Sequence, residues 1–314
     1  MRSISRLSRR RFMQAAARSA AAALLSVGLP PFLTAARAQG SGHADLGGGF
    51  HVLTIDGVNV LAVAAGDGVA LVDGGPAGQA DAVRAAVEAV LPAAGPVHTL
   101  FNTHWHPEQT GSNETLGKAG ATIVAHVNTR LWLTTDVTWP WNEVTVEPLP
   151  DVALPNKTFY TEEELTVGNL TVRCGHLRDC PHTDGDIYVF FPEQNVMAVG
   201  GAVTGAGWPD IDWWTGGWIG GIVGGLDMIL TVSNDATRFV PAHGPVLDRA
   251  ALVRQYDMYN VIWERLLRTL YSGGGTQEAL AAEPTKEFDD IMGDPEAFVV
   301  RAFRSMWPYL SPDA

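Results

Sequence analysis

The sequence predicts an α/β protein in which two mixed sheets pack face to face with helices outside. The first observation is a block of short β-branched runs followed by helical patterns in the first half of the chain. The second observation is that the other half repeats this order, strands first and helices after them. Because sheets and amphipathic helices each need a partner layer for their apolar faces, two such blocks predict an αββα sandwich.

The first block begins with an antiparallel meander. Three β-branched runs between residues 50 and 75 are separated by Asp-Gly and Gly-Asp-Gly turns, which is typical of neighbouring antiparallel strands. Apolar residues at helical spacing over 77–95 then predict a helix that ends at Pro and Gly. Strands at 97–102 and 121–126 follow, and the stretch "NTHWHPEQTGSN" (102–113) is expected to begin an exposed loop.

The second block opens with strand patterns again. Short apolar runs around turns predict strands over 165–177 and 186–201, followed by a helix over 224–234. A strand is expected over 237–244, and a long helix from about Arg249 to Tyr271 leads into a helical C-terminal extension. Loops that follow strands are where sites are usually built, and several of these loops carry histidine.

Residues 1–38 predict a cleaved export signal of the twin-arginine type. Adjacent arginines in "SRRRFMQ" precede a long Ala/Leu-rich run, and "AARA" (35–38) offers a small-x-small cleavage site. The alternative is a membrane anchor, but the pair Pro30-Pro31 and the cleavage site favour a removed signal. The protein is therefore expected to be exported already folded, and to be periplasmic or secreted without a stable membrane anchor.

The remaining residues, 39–314, are expected to form a single domain, since no linker or repeat divides them. Residues 1–38 contain seven arginines and no acid, so the mature chain has 14 basic against 34 acidic residues, a net charge of −20. Such a surface excludes nucleic acid as a partner, because phosphate binding needs a basic face. The expected partner is a small-molecule substrate, neutral or zwitterionic.

The main chemical signal is a group of histidines placed directly after apolar strands, namely His104, His106, His182 and His243. In a strand-like His-x-His both side chains project to one side, so His104 and His106 can bind one ion. A catalytic zinc takes three protein ligands and leaves a fourth position open. The other histidines are expected to be structural or on the surface: His43, His51, His98, His126 and His176.

The only cysteines, Cys174 and Cys180, leave several possibilities open. In an oxidising periplasm two thiols six residues apart could close a small disulfide ring. The pair could also be inert, or Cys180, two residues before His182, could reach the site as a ligand. A disulfide or an inert pair is favoured.

Three ordered stretches carry a family resemblance: "THWHPEQTGSNETLGKAGATIVAH", "PHTDGDIYVFFPEQNVMAVGG" and "FVPAHGPV". With the earlier "VALVDGG", they resemble the metallo-β-lactamase superfamily across nearly the whole mature chain. The resemblance implies a metal site at one edge between the two sheets. In the family pattern His-x-His-x-Asp-His, the first two histidines and a later histidine at the end of a strand hold one zinc. The resemblance therefore implies His104, His106 and His182 as zinc ligands here.

The second metal site of the family is altered in this sequence. The resemblance places Glu108 where the family has Asp, Gln109 where it has His, and Gly201 where it has a bridging Asp, with His243 retained. Zinc prefers nitrogen, sulfur or anionic oxygen, so a displaced carboxylate, an amide and one histidine make a weak site. The prediction is one tightly bound zinc, with Glu108, Gln109 and His243 as a weak or vestigial second site.

The leading functional hypothesis is a zinc-dependent hydrolase that uses a metal-bound hydroxide on an ester, lactone, amide or β-lactam-like carbonyl. Glu108, released from ligand duty, would act as general base or orient the attacking water, and His243 would protonate a leaving group or stabilise charge. The alternative is a binding or accessory protein without catalysis, in which Glu108 and Gln109 are relics. Whether iron or manganese replaces zinc in the cell is left open by the sequence.

Two further sets of residues are assigned around this centre. Asp73 and Asp184 are expected to accept a hydrogen bond from a ligand imidazole or to cap a turn, and Asp186 has an equal claim to a turn role.

The Gly-rich stretch 205–225 concentrates tryptophans that predict a flexible aromatic wall for an apolar or ring-bearing substrate. They are Trp208, Trp213, Trp214 and Trp218. The "TWPWNE" segment (138–143) is expected to face them. The alternative is an aromatic cluster that covers a sheet edge.

Overall fold

The computed structural model describes residues 42–310, so the predicted export signal lies outside the described residues. The first sheet has seven strands in the order β1-β2-β3-β4-β5-β6-β9. Their bounds are β1 (Gly42–Gly47), β2 (Phe50–Ile55), β3 (Val58–Ala65), β4 (Gly68–Val72), β5 (Val97–Phe101), β6 (Thr122–His126) and β9 (Lys157–Phe159), with the hairpin β7 (Val137–Thr138) and β8 (Thr145–Val146) between the last two. Strands β1 to β4 pair antiparallel, as predicted, and β4, β5, β6 and β9 pair parallel.

The second sheet has five strands in the order β10-β11-β12-β13-β14. Their bounds are β10 (Glu162–Val167), β11 (Leu170–His176), β12 (Ile187–Phe191), β13 (Val196–Gly200) and β14 (Arg238–Pro241). The first four pair antiparallel and β14 pairs parallel with β13. Both sheets are therefore mixed, as the sequence predicts.

The helices connect the parallel strands and continue to the C-terminus. They are α1 (Ala80–Val90), α2 (Pro107–Thr110), α3 (Asn113–Lys118), α4 (Val127–Trp132), α5 (Ile219–Val232), α6 (Arg249–Tyr271), α7 (Thr276–Ala281), α8 (Asp289–Met292), α9 (Glu296–Arg304) and α10 (Trp307–Leu310). None of the helices within residues 42–310 combines the length and the apolar character needed to cross a membrane.

A core between the two sheets confirms the predicted αββα sandwich. Phe50 of the first sheet meets Phe191 of the second edge to face, with ring centroids 5.0 Å apart, and both are fully buried. The outer face of the first sheet packs on α1 through Val83 and Val87. The outer face of the second sheet packs on α5, α6 and α9. Each sheet is thus packed on both faces, one against the other sheet and one against helices.

Most of the stretch 102–113 is buried, although Glu108 is exposed, so the prediction of an exposed loop is wrong for most of its length. Two of its buried side chains satisfy each other, since the side-chain amides of Asn102 and Asn113 donate to each other's oxygen at 3.0 and 2.9 Å. Asn113 also donates to the carbonyl of Ala153, at 3.0 Å. Buried polar groups of this kind need such partners, and here they hold the loop against the sheet edge.

Two other predictions are settled by the fold. Helix α5 begins at Ile219, five residues before the predicted start, so part of the Gly-rich stretch is helical. Cys174 and Cys180 are both free thiols, and Cys174 is buried in the core between the sheets. Of the two favoured alternatives, a disulfide or an inert pair, the structure has the pair without a bond, and Cys180 does not belong to the cluster of candidate metal ligands among the described residues.

Candidate metal centre

Three histidines converge at one edge of the sandwich. His104 and His106 follow β5, and His182 lies in the loop between β11 and β12. Their candidate ligand nitrogens all lie within 4.8 Å of one another. The three rings meet edge to face, at interplanar angles of 78° to 86°, so that their edges rather than their faces point inward. The sequence-predicted trio is thus brought together.

The outward nitrogen of each ring has an acceptor, which determines where the lone pairs point. His106 Nε2 donates to the carboxylate of Asp212 at 2.9 Å, and His182 Nδ1 donates to the carbonyl of Asp210 at 2.8 Å. The remaining nitrogens, His106 Nδ1 and His182 Nε2, are therefore both unprotonated in the neutral rings, and they face each other at 3.1 Å. Two facing nitrogens at this distance can share a metal ion or a proton, so they form a candidate metal-binding position.

His104 completes the set through a relay. Its Nδ1 lies 3.1 Å from the hydroxyl of Thr103, and that hydroxyl is 2.9 and 3.0 Å from the two carboxylate oxygens of Asp73. A hydroxyl that donates to a carboxylate accepts from the ring, so Nε2 of His104 keeps its lone pair. Asp73 therefore orients His104 indirectly, through the hydroxyl of Thr103. Burial raises the pKa of Asp73 to about 7, against hydrogen bonds from Thr103 that lower it.

The donor set fits zinc. Ligand nitrogens at about 2.0–2.1 Å from a tetrahedral ion lie about 3.4 Å apart, close to the observed 3.1 Å between His106 and His182. Burial and the neighbouring histidines also lower the pKa values of His104 and His182, which keeps both rings in the neutral form that binds metal. Three imidazoles with fixed tautomers are the usual ligand set of a catalytic zinc.

Asp212 is the partner that the sequence analysis missed. Its carboxylate accepts from His106 Nε2 and Trp139 Nε1 on one oxygen, and from the backbone N–H of Thr215 on the other. Burial would raise the pKa of Asp212, but these hydrogen bonds, that from His106 first, hold it below its usual value. Asp212 is far from His106 in the chain, and its neighbours "PDIDWW" form no metal motif.

Asp184, which was expected near a ligand imidazole or at a turn, lies in the turn at residues 184–185, but its side chain is directed to Trp132 rather than to a ligand imidazole. Its carboxylate accepts a hydrogen bond from the indole of Trp132 at 2.7 Å, and burial raises its pKa to about 6. Asp186 has the turn role, since it accepts from the backbone N–H groups of His182 and Thr183 at 2.7 and 2.8 Å. The structure thus moves the role expected of Asp184 to Asp212.

Glu108 and His243 form a pair on the other side of the centre. Glu108 Oε2 lies 3.0 Å from His243 Nε2, while His243 Nδ1 donates to the carbonyl of Gly57 at 3.0 Å. Because Nδ1 carries a hydrogen, a neutral ring would turn a lone pair toward the carboxylate oxygen. Glu108 Oε2 and His243 Nε2 are therefore placed to share a proton.

The other two positions of the altered second site carry no ligand. The side-chain amide of Gln109 is 1% exposed, and neither its oxygen nor its nitrogen has a hydrogen-bond partner among the described residues. Gly201 lies against the ring of His182, so that a Cβ at this position would collide with it. A bridging carboxylate at residue 201 is thus incompatible with His182 as it is placed here.

A cavity of about 480 Å³ opens over this centre. Its floor includes His104, His106, His182, Glu108 and His243. The lining also includes two stacked aromatic pairs, Trp139 on Trp141 with centroids 6.0 Å apart and Trp208 on Phe298 at 4.6 Å. The "TWPWNE" segment and Trp208 thus both reach the cavity.

The other three predicted substrate tryptophans are corrected, because none of them lines this cavity. Trp213 lies 6.0 Å from Trp141 between ring centroids. Trp214 is half exposed and packs against Trp213. Trp218 stacks on Tyr309 at 4.4 Å and meets Trp263 edge to face. The sequence interpretation failed because helices from the C-terminal extension supply the packing surface that the glycines lack.

Arg301 was not singled out by the sequence. It is the one Lys or Arg residue in the lining of the cavity, and it reaches there from α9. Its guanidinium pairs with Asp210 at 2.6 Å and lies over the ring of Trp141, 4.6 Å from the centroid. A lone arginine in a helical pattern carries no sequence signal that separates it from surface arginines.

The comparisons with known proteins agree with this architecture. The sequence model of the metallo-beta-lactamase superfamily matches residues 53–270. Among functionally curated proteins, none matches the chain.

Solved structures also superpose on the chain. A metallo-beta-lactamase from Pontibacter korlensis is 17% identical with a TM-score of 0.55, over 70% of this chain and 99% of that one. The DIM-1 metallo-beta-lactamase is 18% identical with a TM-score of 0.54, over 70% and 97%. A stereoselective inverting sec-alkylsulfatase from Pseudomonas sp. is 16% identical with a TM-score of 0.63, over 87% of this chain and 50% of that one. At these identities the likeness concerns the fold alone.

Proposed function

The chain belongs to the metallo-β-lactamase superfamily, and on this premise we propose that it is a hydrolase that works with a single zinc ion held by His104, His106 and His182. The superfamily comprises metal-dependent hydrolases with small-molecule substrates, and the histidine cluster provides a metal site. When bound, the zinc supplies Lewis-acid activation of water and of the substrate. Fold alone does not choose the bond, so the rest of the proposal is argued from the site.

The observation that carries the proposal is the set of inward lone pairs. Each ring of the trio has its outer nitrogen committed to an acceptor, and two of the inner nitrogens face each other at 3.1 Å. A structural zinc usually has four protein ligands, whereas a catalytic zinc keeps one position open. Three ligands at the floor of a cavity therefore support catalysis rather than a purely structural ion.

Glu108 and His243 would hold and move the proton. Both line the cavity beside the trio, and Glu108 Oε2 and His243 Nε2 are placed to share a proton. The carboxylate would take a proton from the attacking water, and the ring would pass one to the leaving group. The Gly57 carbonyl holds the other ring nitrogen and so keeps Nε2 directed at Glu108.

The lining supports a small substrate with an apolar or ring-bearing part. Trp139, Trp141, Trp208 and Phe298 present aromatic surface, and polar groups are concentrated at the floor. The proposed bond is an ester, lactone, amide or β-lactam-like carbonyl bond. A second metal is not part of the proposal, because Gln109 and Gly201 offer it no strong ligand.

We place the protein outside the cytoplasm as part of the same proposal, as one domain over residues 39–314. The support is the sequence of residues 1–38, with adjacent arginines before an apolar run and a cleavage site. Export in the folded state suits a protein whose ligands come from two sheets and bind metal only once these have packed.

The test is metal content and turnover on the mature, exported protein. We expect one equivalent of zinc per chain by elemental analysis after gel filtration in excess zinc. We also expect turnover of at least one substrate from a panel of chromogenic esters, lactones, a cephalosporin and a secondary alkyl sulfate, lost with a chelator and restored by zinc. Two equivalents would refute the single-zinc assignment. Ligand binding without turnover on metal-free protein would instead favour the non-catalytic binding protein.

A further inference from the structure

The acceptors that orient two of the three candidate ligands lie in one tripeptide. Asp210 provides the backbone carbonyl for His182 Nδ1, and Asp212 provides the carboxylate for His106 Nε2. This tripeptide is in the stretch between β13 and α5, which has only the 3₁₀ turn Trp213–Thr215 as regular structure. Such a stretch needs support from outside to hold two acceptors in place.

The support comes from residues 289–310, here called the C-terminal segment, which comprises α8, α9 and α10. Arg301 donates to the carboxylate of Asp210 at 2.6 Å. Trp208, two residues before Asp210, stacks on Phe298 and donates its indole N–H to the carbonyl of Gly293 at 2.9 Å. The C-terminal segment therefore contacts this stretch at the side chain of Asp210, the residue whose carbonyl accepts from His182.

Further contacts fasten the far end of the same stretch. The hydroxyl of Ser305 accepts from the buried backbone N–H of Ile219 at 3.1 Å. Tyr309 donates to the carbonyl of Gly216 and stacks on Trp218. The segment that makes these contacts lies outside the residues matched by the family model, which end at 270.

Arg301 reaches the second acceptor by another route. Its guanidinium lies over Trp141, which stacks on Trp139. The indole N–H of Trp139 donates to Asp212 Oδ2, the same oxygen that accepts from His106, at 3.1 Å. One side chain thus touches the supports of both His182 and His106. Its side chain is 22% exposed, so the pairing with Asp210 is partly shielded from water.

We infer that Arg301 is a positioning residue for the zinc site, acting through Asp210 on His182 and through Trp141 and Trp139 on His106. This rests on the proposed zinc-binding role of the three histidines. Loss of the guanidinium releases Asp210 and lets the two acceptors drift, so the ligand rings lose their fixed orientation. Loss of partners that orient metal ligands typically weakens metal binding about 10- to 100-fold.

The experiment measures zinc affinity of the mature protein by competition with a chromophoric chelator. We compare Arg301→Gln with Arg265→Gln, a matched control that removes an arginine paired with Glu287 at 2.5 and 2.6 Å and is absent from the cavity lining. We expect zinc affinity about tenfold or more lower in R301Q and within twofold of wild type in R265Q. Equal affinities in R301Q and R265Q would overturn the inference.

Two more variants separate positioning from general support. Asp210→Asn keeps the carbonyl that holds His182 and removes only the charge paired with Arg301, so its zinc affinity should fall in the same direction as that of R301Q. Arg301→Lys restores a cation and should recover part of the loss. The visible spectrum of the cobalt-substituted protein should change in R301Q and not in R265Q, because it reports ligand geometry. An unchanged spectrum and affinity in D210N would exclude the route through Asp210.

Folding and function are controlled separately. Thermal unfolding of the zinc-free variants identifies a variant that merely fails to fold, and D210N and R301K then carry the test, since neither removes the aliphatic packing of Arg301. Wild-type protein that binds zinc but turns over no substrate would count against the proposed hydrolase and leave the inference standing. Normal turnover with identical zinc affinities in wild type and R301Q would do the reverse.

Discussion

The two halves of the cavity floor solve the same electrostatic problem with different cations. In the trio, His106 Nδ1 and His182 Nε2 face each other at 3.1 Å with their lone pairs inward. In the neighbouring pair, Glu108 Oε2 and His243 Nε2 face each other at 3.0 Å. The trio has a third nitrogen, from His104, within 4.8 Å of the others, and the pair has no third member in any metal-ligand cluster of the described residues.

The difference between the trio and the pair separates a candidate site for a metal from a candidate site for a proton. Three convergent nitrogens suit zinc, whereas one carboxylate and one imidazole suit a shared proton. The adjacent Gln109 and Gly201 remove the anionic and nitrogen ligands that a second metal would need. Proximity to a metal site therefore does not by itself make a histidine a ligand.

The largest effect is expected when the trio is broken. His182→Ala removes one of three nitrogens and leaves the other two without the geometry of a tetrahedral site. We expect less than about a tenth of an equivalent of zinc per chain after gel filtration, and no chelator-sensitive turnover. His98→Ala, which removes a part-buried histidine outside the cavity, is the control and should retain one equivalent. Retained zinc in H182A would mean that the trio is not the site.

The substitution Glu108→Gln disrupts the pair formed by Glu108 and His243. The amide can still donate to His243 Nε2, so the geometry persists, but the mobile proton is lost. We expect kcat to fall about 100- to 10,000-fold with zinc content unchanged, measured by steady-state kinetics and elemental analysis. Glu114→Gln, on exposed α3, is the matched control. Wild-type kcat in E108Q would remove Glu108 from the mechanism.

A smaller effect is expected at the support of His106. Three donors converge on the two carboxylate oxygens of Asp212, from His106, Trp139 and Thr215, and the amide of Asp212→Asn offers one oxygen. We expect zinc affinity about 10- to 100-fold lower with the stoichiometry retained at saturating zinc, measured by chelator competition. Asp184→Asn, whose carboxylate contacts Trp132 instead, should change affinity less. The reverse ranking would return the orienting role to Asp184.

The smallest effect is expected at a stacked histidine pair that lies outside the candidate metal cluster. His126 and His176 stack face to face, with centroids 3.8 Å apart, and burial followed by the neighbouring ring lowers the pKa of His126 to about 4. When the pH is below 6.5, the ordinary pKa of histidine, but above about 4, residue 126 is protonated in the unfolded chain and neutral in the folded chain. The free energy of unfolding should therefore fall by about 3 kcal/mol from this group as the pH falls from 6.5 to 4.

Urea unfolding of zinc-free protein at several pH values measures this contribution. The wild type should lose more stability between pH 6.5 and 4 than His126→Gln, in which residue 126 no longer titrates. Parallel pH profiles for the two proteins would show that His126 does not stay neutral in the fold.

Much of the fold was accessible from local patterns. The antiparallel meander β2 to β4, the helix α1 and the long helix α6 all lie where periodicity and turn residues predict them. The burial of 102–113 was not accessible, because the reciprocal amide pair of Asn102 and Asn113 joins residues that no local pattern connects. The same holds for the early start of α5 at Ile219.

The sequence by itself determined most of the order of strands and helices and the three histidines at the ends of strands, because these depend on residue type and near-neighbour spacing. The tertiary structure alone decided that Asp212 rather than Asp184 serves His106, that Glu108 pairs with His243, and that Arg301 enters the cavity. Those contacts join residues about 90 to 135 positions apart, so they depend on how the sheets and the C-terminal helices pack.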